Sequence, residues 1–132
     1  MKQEELFIGA IVLHDQTPKT IRGIYHDTNT DERYVHFYGD CARHYIEEIH
    51  PVPITAEILM RLEGENGERF ELVNGFYFIN GGIRVWCEED KMGVDWFYKN
   101  PFNGCFFGIG NINDVISRVR LDAGIFLTLK PE

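Results

Sequence analysis

His36, Cys41, His44 and His50 lie within one short stretch and are of the residue types that hold zinc. Their spacing argues against such a site. Structural zinc sites use close ligand pairs on a turn, whereas His36 falls inside a strand-like run and Cys41 with His44 forms a loose C-x-x-H. These histidines are expected to be solvated or on strand edges, with no metal and no cofactor held. The competing reading is a small metal-binding protein or enzyme using His36, Cys41 and His44. His14-Asp15 and His26-Asp27 could each set a carboxylate beside an imidazole for acid–base work. Neighbouring residues on a strand point to opposite faces, however, and Asp at a strand end serves to cap the turn. No G-x-S-x-G elbow is present, and Cys41 with His44 has no protease context. Gly108-Ile109-Gly110-Asn111-Ile112-Asn113 sits where a phosphate-binding loop would sit, but it lacks the third glycine and any βαβ unit, so it reads as a strand-to-helix turn. Glu88-Glu89-Asp90 lacks the spaced oxygen ligands of a calcium loop and reads as a solvated hairpin tip. No catalytic residue is assigned, and the chain reads as a protein that is not an enzyme.

The aromatic residues carry more. Tyr34, Phe37, Tyr38 and Tyr45 in the first half are of the kind that small β-folds present to peptides or single strands. Trp86, Trp96, Tyr98, Phe102, Phe106 and Phe107 in the second half fit a core or a self-association surface. The candidate interaction surface is therefore Tyr34, Phe37, Tyr38, Tyr45, Trp86, Trp96 and Tyr98.

The elements that must position these side chains are mainly strands. Leu6–Leu13, Thr20–Tyr25, Arg33–Tyr38 and His44–Ile49 are short β-favouring runs, separated by Gln16-Thr17-Pro18, by Asp27 to Asp31 and by Gly39-Asp40. Strands so short and so closely spaced predict a small, twisted barrel of the SH3-like or OB type over residues 1–53. Pro51-Val52-Pro53 then halts the sheet. Residues 54–132 predict a helix, an antiparallel β-meander and a C-terminal helix. Thr55 caps a helix from Ala56 to about Glu63, ended by Gly64. The meander runs through Arg69–Val73, Phe76–Ile79, Ile83–Cys87, Val94–Tyr98 and Cys105–Ile109, with Asn74-Gly75 as a hairpin signal and Glu88 to Gly93 as a loop. Asn111 or Asn113 caps a helix reaching about Leu121, in which Ile112, Val115, Ile116 and Val119 share a face. Ile125–Leu129 reads as a last strand or a docked tail. The fold class is α+β, mainly β: an SH3-like barrel packed on an antiparallel meander with two short helices.

Glu47 to Leu59, through His50-Pro51-Val52-Pro53-Ile54-Thr55, preceded by Gly9-Ala10-Ile11-Val12 and Gly23-Ile24, resembles a junction of the type I-x-P-I-P-L-T-x-E-x-L-L. It is found in a group of small uncharacterised β-rich proteins of gut Bacteroidetes genomes and their phages or mobile elements. The C-terminus departs from that group, whose members carry a His-x-Leu-Gln-like stretch absent from Asn113 to Leu121. The resemblance implies a fold and a genomic setting and brings no chemistry.

Composition bounds the rest. With 44% hydrophobic and 14% aromatic residues in 132, the chain can bury a core of its own. Thirteen Lys and Arg against 21 Asp and Glu give a formal charge of −8, which repels phosphate backbones, and the basic residues form no stripe, so nonspecific nucleic-acid binding is not expected. Leu6–Leu13 is too short to span a membrane, and no leader precedes it, so a cytoplasmic setting is expected. Cys41, Cys87 and Cys105 are expected to be reduced, with Cys87 and Cys105 buried and inert. The functional expectation is a noncatalytic protein that binds a protein partner, with self-association into a homodimer through the aromatic sheet as one form. The alternative is an acidic accessory factor that mimics nucleic acid, which requires carboxylates gathered on one face.

Overall fold

A computed structural model describes residues 5–130, and the chain divides into two compact units, Met1–Val52 and Pro53–Glu132. The described residues are mainly β, with antiparallel sheets and two α-helices. Among the described residues no helix is long and apolar enough to cross a membrane.

The first unit is a five-stranded sheet in the order β4-β3-β2-β1-β5, built from β1 (Ile11–His14), β2 (Thr17–Asp27), β3 (Glu32–Phe37), β4 (His44–Tyr45) and β5 (His50–Pro51). The strands form an open sheet rather than the closed barrel that their spacing suggests, because β4 and β5 at its two edges are each only two residues long. β1 and β2 are joined by Asp15 and Gln16, both left-handed at φ 50° and 64°, the twist that a two-residue hairpin requires. Thr17 and Pro18 are therefore strand and not a break. Pro18 is tolerated because the pairing of β2 with β3 begins only at Ile21, which leaves that side of Pro18 without a ladder partner. Leu6 to Ala10 turn before the sheet starts, with Ala10 N–H bonded to Phe7 C=O at 3.0 Å and Gly9 at φ 96°, so the first strand is shorter than its apolar run. His44–Ile49 is likewise only partly strand, since Ile46–Glu48 winds into a 3-10 turn. On β3, Val35 and Phe37 point inward and join Leu6, Ala10, Val12, Ile21, Ile46 and Ile49 in one core, while the alternate side chains Tyr34 and His36 stand on the outer face.

The second unit begins with α1 (Ala56–Arg61), whose first turn is capped by Thr55 Oγ1 accepting from Ile58 N–H at 3.2 Å. The helix is shorter than its apolar face suggests, because Leu62 turns extended at ψ 135° and opens β6 (Leu62–Glu63). The sheet that follows is a meander in the order β11-β10-β9-β8-β7, made of β7 (Glu71–Val73), β8 (Phe76–Ile79), β9 (Ile83–Asp90), β10 (Gly93–Asn100) and β11 (Cys105–Ile109). Asn74 and Gly75, at φ 52° and 84°, make the β7–β8 hairpin. Glu88, Glu89 and Asp90 are strand and not loop. They pair with Asp95, Val94 and Gly93, and the Asp90 carboxylate accepts from Met92 N–H at 2.8 Å across the tip. From Cys87 to Asp90 this hairpin is exposed, so Cys87 lies outside the core, and Cys105 is only half-buried. α2 (Ile112–Ala123) lays Ile112, Val115, Ile116 and Val119 into the core with Tyr77, Ile79, Ile83, Val85, Tyr98 and Ile109. β12 (Thr128–Leu129) returns to pair with β6, and Ile125 and Leu127 are buried on the way.

Candidate functional site

The register of the second unit's sheet decides which rings share a face. Tyr77, Val85, Tyr98 and Phe107 are successive partners across β8 to β11 and lie on the side that meets α2. Residues one step along the strands point the other way. Phe78, Arg84, Lys99 and Phe106 form one row of this outer face, and Phe76, Trp86 and Phe97 lie in the adjacent row. The rings touch in a continuous ridge: Phe76–Phe78 at 6.2 Å, Phe76–Trp86 at 5.5 Å, Trp86–Phe97 at 5.7 Å and Phe97–Phe106 at 6.1 Å between centroids. Phe106 is 57% exposed, and the other four are half-buried. The Arg84 guanidinium lies over both Phe76 and Trp86, at 5.4 and 5.8 Å, and its Nε is buried with no hydrogen-bond partner among the described residues. The same face carries Glu88 and Asp95 towards the hairpin tip, so basic and acidic side chains stand on opposite sides of the Phe76–Trp86–Phe97 row.

A smaller aromatic group stands on the outer face of the first unit. Tyr25 stacks on Tyr34 at 5.3 Å and leans on His36 at 4.8 Å, and Tyr34 meets Tyr45 edge-on at 6.4 Å. Arg43 covers Tyr34 at 4.5 Å, and an Arg22 guanidinium nitrogen lies 3.4 Å from His36 Nδ1. Gly23 makes room for Tyr25, because a Cβ there would fall 2.6 to 2.9 Å from that ring. A hydrogen bond from the Tyr45 hydroxyl to the Glu32 carboxylate pushes the Tyr45 phenol up from its ordinary value.

The surface residues expected from the sequence divide as follows. Tyr34 and Tyr45 lie in this group, Tyr38 is 60% exposed, and Trp86 is central to the ridge. Phe37 and Tyr98 are 1% and 0% exposed and belong to the two cores, because the alternation of β3 and β10 turns them inward. Trp96 is on the α2 side, 6.2 Å from Tyr77, and is not part of the ridge. Phe76, Phe78, Phe97 and Arg84 are absent from that expected surface. The signal for them is parity: once Asp90 is paired with Gly93, Trp86 and Phe97 must share a face.

The polar candidates are also sorted by the fold. His36 faces outward among Arg22, Tyr25 and Tyr34, while His44 stacks on the core ring of Phe37 at 4.4 Å, so β3 separates the two and the His36/Cys41/His44 grouping is not assembled. Cys41 is exposed, and His50 is exposed on β5. His26 pairs with Asp31 across its hairpin at 2.7 Å and not with Asp27, whose carboxylate accepts from Asn29 N–H at 2.9 Å. That contact holds the Asp31 carboxyl below the usual carboxylate range. Among the described residues, His14, His44 and Glu48 bring potential ligand atoms within 4.8 Å of one another. The glycine-containing turn before α2 is filled from within, because Asp114 Oδ2 accepts from Gly110 N–H and Asn111 N–H at 2.7 and 3.2 Å. The place where a phosphate would bind a helix start is thus taken by the chain's own carboxylate.

Comparison of the chain with protein-family models, with curated proteins and with solved structures finds no match.

Proposed function

We propose that the protein is a noncatalytic interaction protein that self-associates through the outer aromatic face of its second unit. The observation that carries this reading is the ridge of Phe78, Phe76, Trp86, Phe97 and Phe106 with the Arg84 guanidinium set among the rings. Aromatic and arginine side chains are what interface centres are enriched in. A second copy is the partner favoured by charge. The face carries Arg84 and Lys99 at one end and Glu88 and Asp95 at the other, so a two-fold stacking lays each acidic end over the partner's basic end. On this reading the first unit is an SH3-like lobe, supported by its short antiparallel strands in the order β4-β3-β2-β1-β5 and by the 3-10 turn that precedes the last of them.

The test is sedimentation equilibrium across a concentration series. The native chain is expected to dimerise, and Phe106→Glu, at a site already 57% exposed, is expected to remain folded and monomeric. A native chain that stays monomeric up to about 500 μM, far above the roughly micromolar dissociation constant of a specific dimer, overturns the proposal.

A further inference from the structure

Independently of the aromatic ridge, the first unit brings together a set of donors that its strands hold in place. His14 is the last residue of β1, His44 the first of β4, and Glu48 ends the 3-10 turn. The two imidazoles meet edge to face at 4.6 Å, and Phe37 underlies both, stacked against His44 at 4.4 Å and tilted against His14 at 5.6 Å. Their side chains are 19% and 12% exposed, so the rings are fixed by packing. His14 Nε2 lies 3.7 Å from Glu48 Oε2, which is too long for a hydrogen bond and close to the separation of two ligands on one metal ion. Each imidazole presents its other side to a second carboxylate: His44 Nε2 is hydrogen-bonded to Asp40 Oδ2 at 2.9 Å, and His14 Nδ1 is 3.6 Å from Asp15 Oδ2. Asp40 is in turn held by Ala42 N–H. A carboxylate behind a ligating imidazole, itself anchored, is the outer arrangement that orients metal-binding histidines.

We propose that His14, His44 and Glu48 bind a divalent transition-metal ion, with zinc as the best match to two imidazoles and one carboxylate. Three protein ligands leave one tetrahedral position for water. Zinc bonds of about 2.0–2.2 Å place tetrahedral ligand atoms roughly 3.3 Å apart, so the group must contract from its present spread of up to 4.8 Å. The Glu48 side chain, 55% exposed, is able to swing towards the two packed rings as the group contracts. His44 Nδ1 is the nitrogen left for the metal while Nε2 remains with Asp40. The surrounding carboxylates of Asp15, Asp40 and Glu48 supply the negative charge that a divalent cation neutralises.

The experiment uses the full chain, purified without a histidine tag and stripped with chelator. It is titrated with zinc by calorimetry and with cobalt by visible absorption. One equivalent of each is expected to bind, with tetrahedral cobalt bands and a thermal midpoint that rises with zinc concentration. His14→Gln and His44→Gln are expected to abolish the bands, and Asp40→Asn to weaken binding by roughly 10–100-fold. Glu48→Gln, at an exposed side chain that the fold does not need, is expected to weaken cobalt binding and alter its spectrum. His26→Ala, at the opposite hairpin, is expected to change nothing. A chain that binds no stoichiometric zinc or cobalt overturns the proposal, as does binding unaffected by Glu48→Gln and both histidine variants.

Discussion

The replacement Asp122→Asn tests the polar cluster that ties α2 to the sheet. The Asp122 carboxylate is 4% exposed and accepts from Tyr98 O–H at 2.7 Å and from Arg118 Nε–H at 3.0 Å, with Asn103 Nδ2 at 3.4 Å. Burial alone would raise its pKa, but the hydrogen bonds from Tyr98, Arg118 and Asn100 outweigh it and hold the carboxyl below the usual range. Burial of its ring, together with the same contact, pushes the Tyr98 phenol far up, so it stays a donor. Asparagine keeps the shape and one acceptor oxygen but removes the charge. Hydrogen bonds to a charged group exceed neutral ones by about 1 kcal/mol each. The two short bonds therefore account for about 2 kcal/mol, and an amide group turned towards donors adds about 1 kcal/mol more. The Arg118 side chain is 26% exposed, so its lost ion pair is screened, and the expected total is about 2–4 kcal/mol. The assay is urea unfolding at fixed salt, read by the shift in midpoint at unchanged slope. Because the folded-state pKa of Asp122 lies below its unfolded value, its contribution is complete above the unfolded value, near pH 4, and fades as the pH falls through the folded one. The gap between native and variant chains is thus expected to be full at about pH 7 and to narrow below about pH 4. A gap under about 0.5 kcal/mol at neutral pH, or one that stays constant into acid, refutes the assignment.

Two further replacements probe the ends of α2. Asn111→Ala removes the side chain that accepts from Asn113 N–H at 2.9 Å and Asp114 N–H at 3.3 Å, and is expected to cost about 1 kcal/mol in urea unfolding. Gly124→Ala places a Cβ at φ 69°, where the space is open but the backbone is strained, and a loss of about 1 kcal/mol is expected from the same measurement.

The local chemistry of these elements is legible in the chain, and the long-range geometry is not. Asn74-Gly75 announces its hairpin because both residues accept positive φ, and Asn111 with the repeat Ile112, Val115, Ile116 and Val119 marks the start and face of α2. Asp15-Gln16 does not announce itself, since glutamine is an uncommon choice at φ 64°, and Pro18 then reads as a stop although the stretch of β2 before Ile21, unpaired on its β3 side, accommodates it. The histidines show the larger limit. His36 and His44 are close in sequence and lie on different sides of β3, while His14 meets His44 only because β4 and β1 are held by the same sheet and core. Proximity along the chain is a poor guide where alternation sends every second side chain to the other face.

In each unit, one strand pairing joins residues from near its beginning and its end. Val12 on β1 pairs with Pro51 on β5, and Leu62 on β6 pairs with Leu129 on β12. In each unit a late strand thus closes on an early one, so the pairing that forms last along the chain secures the one that forms first. Fresh chain ends are therefore expected to be better tolerated at an exposed tip such as Lys91-Met92 than at these closing pairs.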